Sequence, residues 1–134
     1  MKNLFLVLAI SALTFSALSF TEGKDITAPQ KSNSDTSFEM PDDVQAIVDN
    51  SCYGCHNSES KNTKGKMKLK FDKMPKMSKG KLIGKLSKIS KSVTKGKMPP
   101  EKAVNKHPEM ALSKDDVTTL TTWANDFSKK LSGE

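Results

Sequence analysis

The stretch NSCYGCH, Asn50 to His56, holds both cysteines of the chain three residues apart, with an imidazole at the next position. Four kinds of chemistry use a Cys-x-x-Cys: a redox dithiol, half of a zinc site, a short-range disulfide and the covalent anchor of a c-type haem. Position 56 separates them. On a tight turn, two thiols at this spacing can add to the two vinyl groups of a haem, and the following imidazole is then held beneath the iron as its proximal ligand. On that reading Cys52, Cys55 and His56 all have a role. A redox dithiol calls for a βαβ setting. A zinc site calls for four ligands, and the only other histidine is His107, without the paired spacing of a finger. One covalently attached haem c is therefore expected, with zinc, disulfide and dithiol as the alternatives.

The residues on either side suggest which fold carries this turn. Just upstream, Pro41 fits the opening position of a helix, Asp42 and Asp43 complement the positive end of its dipole, and Val44, Ile47 and Val48 share one face. Downstream, about Lys79 to Lys95, Leu82, Leu86, Ile89 and Val93 recur at helical spacing while Lys81, Lys88, Lys91 and Lys95 lie off that stripe. A third helix begins at Ser113, with Asp116 as the acid of a capping box, Leu112 and Val117 as a flanking staple, and Leu120, Ala124, Phe127 and Leu131 as the stripe. No stretch alternates well enough for a strand. The expected class is all-α: a small bundle of about three to four helices around one covalently attached haem.

The compartment is read from the N-terminus. Lys2 supplies a positive start, Leu4 to Leu18 is mostly apolar, and Ala17-Leu18-Ser19 offers the small residues a signal peptidase reads. Residues 1–19 are expected to be a signal peptide, which makes the protein exported, periplasmic or extracellular. An uncleaved anchor would need ~20 apolar residues, and this stretch is shorter and interrupted by Ser11, Thr14 and Ser16. Residues 20–37 are polar, almost without large apolar side chains, and read as a disordered linker. Residues 38–134 are left for the haem-binding domain, with few aromatics to build its core.

NSCYGCH followed by GKMPPEKAVNKHPEMALSKDDVTTLTTWA, Gly96 to Ala124, resembles the small haem-binding domains of exported bacterial proteins, relatives of c-type cytochromes. In those domains a Cys-x-x-Cys-His near the first helix precedes a Met-Pro segment, a His-Pro pair and a final helix containing Trp-Ala. The resemblance spans about Asp42 to Leu131 and implies haem binding. Between Lys61 and Lys81, where the family tends to carry tryptophans, this chain has KNTKGKMKLKFDKMPKMSKGK instead.

The second axial ligand has to come from the residues. Beyond Met1 there are six methionines, and Met98 is preferred: it follows the second helix after Gly96 as terminator, and Pro99 and Pro100 restrict the backbone that would hold a thioether in place. Met77, Met74, Met110 and His107 are the other candidates, and His107 before Pro108 also suits a structural role in the turn. An iron held by His56 and Met98 has both axial positions filled, which suits electron transfer rather than catalysis. The alternative is a five-coordinate haem that senses a small ligand or reduces peroxide.

Charge points to a partner. All 22 basic residues are lysines, and residues 61–102 hold fifteen of them against Asp72 and Glu101, a local net charge of +13. Such a surface can steer an acidic redox protein into transient contact. An anionic membrane surface is a rival partner, because the Lys79 to Lys95 helix is basic and amphipathic. Nucleic acid is not expected, since without arginine the bidentate readers of guanine are missing. The protein is expected to act as a monomer.

Overall fold

The computed structural model describes residues 37–134. The expected signal peptide, and all of the expected linker except Ser37, lie outside the described residues. Within them the chain is helical, with five α-helices, two 3-10 turns and no strand. The helices are α1 (Asp42–Ser51), α2 (Thr63–Lys68), α3 (Lys79–Thr94), α4 (Glu101–Val104) and α5 (Lys114–Ser132), and the 3-10 turns are Phe71–Lys76 and Pro108–Met110. The three helices expected from periodicity are the three long ones.

Local residues set an end of each long helix. Before α1, Pro41 stands at the cap rather than at the first helical position, and its carbonyl accepts from the Gln45 N–H at 2.8 Å. Helix α5 carries the complete capping box: Ser113 Oγ accepts from the Asp116 N–H at 3.0 Å, and Asp116 Oδ2 accepts from the Ser113 N–H at 2.8 Å. Helix α3 ends in a left-handed residue, Gly96 at φ 60°, with the Gly96 and Lys97 N–H groups bonded to Val93 O at 3.0 Å and Ser92 O at 2.9 Å. This is the Schellman closure, and it turns the chain toward Met98.

The core lies between α1, α3 and α5. Leu82, Leu86, Ile89 and Val93 of α3 meet Leu120, Trp123, Ala124, Phe127 and Leu131 of α5, with Val44 and Val48 of α1 at one side. Full burial of each such large apolar side chain contributes roughly 1.5–3 kcal/mol. Phe38 adds an edge-on contact to Trp123 and to Phe127, with ring centroids at 6.4 and 5.8 Å, and the Trp123 Nε1–H donates to Glu39 O at 3.1 Å. The entry segment is thereby pinned to α5. Because the long helices pack directly on one another, the Cys-x-x-Cys-His turn sits on the flank of the bundle, between α1, α2 and the outer face of α3.

Candidate functional site

The turn grows out of the end of α1. The Cys52 N–H still bonds Val48 O at 2.9 Å, and the Cys55 and His56 N–H groups both return to Cys52 O at 3.1 Å. The next anchor is distant in sequence, since the Phe71 N–H donates to His56 O at 2.9 Å. His56 Nδ1 lies 2.9 Å from Gly65 O. A carbonyl can only accept, so Nδ1 carries the proton, and Nε2 keeps its lone pair available for a metal ion. The imidazole is thus fixed in tautomer and direction from its far side.

Gly65 makes this possible. A Cβ built there would stand 2.5 Å from Cys55 O, so only glycine lets α2 approach the turn this closely. Asn62 holds the same junction: its Oδ1 accepts from the Gly65 N–H at 3.0 Å and its Nδ2 reaches Cys55 Sγ at 3.4 Å. Ser60, itself buried, donates from Oγ to Gly54 O at 2.9 Å and closes the loop between turn and helix.

Two cavities, both with largely apolar walls, meet at the turn. The larger, about 410 Å3, is bounded by Cys52, His56, Leu69, Phe71, Ile89 and Met98 among others. The smaller, about 310 Å3, touches Cys52, Cys55, His56, Met98, Pro99 and Met110. Cys52, His56, Lys68 and Met98 border both. The structure therefore brings all four predicted site residues to one place. Of the other methionines, Met74 is fully buried in the core, Met77 lies by the α3 N-terminus and Met40 beside α1, away from both cavities. Met67 stands 75% exposed at the rim of the larger cavity. His107 borders neither: its exposed ring faces Glu109, with Nδ1 3.2 Å from Oε1, in the turn before α5.

Electrostatics narrow the alternatives. Burial, and after it the neighbouring Cys55, push the Cys52 thiol up to about 11. A thiol whose proton is held more tightly than usual is a poorer redox nucleophile. Among the described residues no group of three or more His, Cys, Asp or Glu side chains converges to hold a metal ion, and both cysteines are free thiols. Beyond the turn, Ser58 donates to Asp72 from Oγ at 2.6 Å and from its N–H at 3.0 Å. These bonds, chiefly the side-chain one and helped by Lys73, hold the Asp72 carboxyl below its usual range.

Sequence reasoning named Cys52, Cys55, His56 and Met98 and pointed to the lysines of residues 61–102, but it did not single out Asn62 or Gly65. The one available signal was Asn62-Thr63 ahead of a lysine-rich run, a helix cap in pattern. Nothing local says that Gly65 will lie against Cys55.

The profile of the family described as Haem-binding domain matches residues 59–126, half of the chain, and the chain belongs to that family. The matched span begins after His56, so haem binding follows from the family, whereas the attachment chemistry rests on the residues of the turn. No curated protein and no solved structure matches. The residues present fit a haem: a free imidazole Nε2, two thiols on one turn, and a thioether bordering the same pair of apolar cavities.

Proposed function

We propose that this chain is an exported mono-haem c-type cytochrome that carries electrons and is not itself an enzyme. Cys52 and Cys55 hold the haem by thioether bonds, His56 Nε2 is the proximal ligand and Met98 supplies the sixth. Bound there, the haem provides a one-electron couple. The chain's own part is to fix the imidazole through Gly65, present a soft sulfur ligand on a proline-restricted segment, and surround the iron with apolar walls. The observation that carries this reading is the convergence of His56, with its proton settled on Nδ1, and the Met98 thioether on the same two cavities. The acidic redox partner is supported by the lysine excess of residues 61–102, which borders the larger cavity at Lys68, Lys85 and Lys88. No helix among the described residues is long and apolar enough to cross a membrane.

The test is a denaturing mass spectrum beside a visible spectrum of protein made in an exporting host. Expected are loss of the first nineteen residues or so, a mass raised by one haem, and low-spin bands. Met98→Ala should turn the ferric form toward high spin and lower the potential, because a thioether favours the ferrous state. A high-spin native spectrum that shifts on adding carbon monoxide would instead support the five-coordinate alternative. Electron exchange with an acidic redox protein should slow as ionic strength rises; a rate indifferent to salt would remove electrostatic docking.

A further inference from the structure

The outer face of α3 carries a second stripe beside its core stripe. Lys85, Lys88 and Ser92 follow a three, four spacing, one position before Leu86, Ile89 and Val93, and all three border the larger cavity together with Lys68. The Lys85 ammonium donates to the Lys68 backbone carbonyl across that rim. Among the described residues Lys73 pairs with Asp72 and Lys130 with Glu39, and the exposed His107 ring stands beside Glu109, so no described carboxylate pairs with Lys68, Lys85 or Lys88. Three ammonium groups around the mouth of an apolar cavity repel one another, and a bound anion relieves that repulsion.

We propose that Lys68, Lys85 and Lys88, with the Ser92 hydroxyl, form the rim that receives the two propionate groups of the haem. The assignment rests on the haem c reading above. In a haem the vinyl and propionate groups stand on opposite edges of the macrocycle. Both cysteines border the smaller cavity, while the larger one runs past Cys52 to α3. A haem tethered by its vinyl edge to Cys52 and Cys55 therefore turns its carboxylates toward the α3 rim. There the lysines offset two negative charges that would otherwise favour the ferric iron, and the protein holds its potential higher than the axial residues alone would set it.

The test uses the exported holoprotein and three double variants: Lys85→Gln with Lys88→Gln, the control Lys79→Gln with Lys81→Gln, and Lys85→Arg with Lys88→Arg. The control removes the same charge from the same helix at positions that border neither cavity. Expected for the first pair is a shift of up to about tenfold in the ferrous-to-ferric ratio at fixed ambient potential, toward ferric, about 59 mV for one electron. The propionate carboxylate bands in the oxidised-minus-reduced infrared spectrum should move with it. The control pair should leave those bands in place and shift the ratio much less, and the arginine pair should behave as wild type. Equal shifts in the glutamine and control pairs, or unmoved carboxylate bands in Lys85→Gln with Lys88→Gln, would overturn the assignment while leaving the haem c reading standing. Absence of covalent haem from the wild-type mass would overturn both.

Discussion

The helical core and the flanking turn are held together by different means. Between α3 and α5 the contacts are apolar, redundant and spread over many side chains, so each can yield a little without changing what its neighbours do. Around His56 the contacts are few and atom-specific: one ring N–H on one carbonyl, one amide on one sulfur, one glycine against one backbone oxygen. The first region resists unfolding and the second fixes the direction of one imidazole. A protein built this way should lose stability and site geometry through separate substitutions.

The hardest blow to the core is Leu86→Ala. Leu86 is fully buried on the α3 stripe, and truncation there should cost about 2–5 kcal/mol, read as a lowered denaturant midpoint. The visible spectrum of the fraction that remains folded should be that of the wild type. A changed spectrum in folded protein would mean that the two regions are coupled after all.

The converse substitution is Gly65→Ala. Its Cβ must displace either α2 or the turn, at a cost of about 1–3 kcal/mol as for other overpacked sites, offset by at most ~1 kcal/mol of helix propensity. The expected signature is a changed ligand field, because the carbonyl that orients His56 moves. A wild-type spectrum would show that the Gly65 carbonyl does not govern the imidazole.

The smallest expected effect concerns Asp72, which ties the loop after His56 to the Phe71–Lys76 turn. Its carboxyl titrates below the usual value when folded, so its stabilisation is present above the unfolded pKa of about 3.9 and is lost as pH falls through the lower folded value. Asp72→Asn should remove this part of the acid limb of the stability curve. If stability falls with acid just as steeply in the variant, the Ser58 contact plays no part in the pH response.

How much of this was legible follows the same division. Helix α5 could be read from Ser113, Asp116 and a single stripe, because its start and its burial are both encoded within a few residues. Helices α1 and α3 could be read for the same reason. Helix α2 and the Phe71–Lys76 turn could not: one is six residues, half of them lysine, the other has Pro75 inside it, and the Phe71 end of the turn is tethered to a partner far along the chain, His56. The site divides likewise. Cys52, Cys55 and His56 are a local motif, and Met98 stood out by its prolines. Gly65, Asn62 and the Lys85, Lys88, Ser92 stripe gain their meaning only when α2 and α3 are folded against the turn.

The close seating of α2 also bears on the order of assembly. With Gly65 against Cys55, Asn62 on the Cys55 sulfur and the Cys52 thiol held protonated by burial, the finished fold leaves both thiols half-buried. On the haem c reading proposed above, thioether formation would be easiest in a chain whose second helix has not yet closed. The folded protein would then contribute the protection of that bond, and its making would depend on how long the nascent segment stays unpacked.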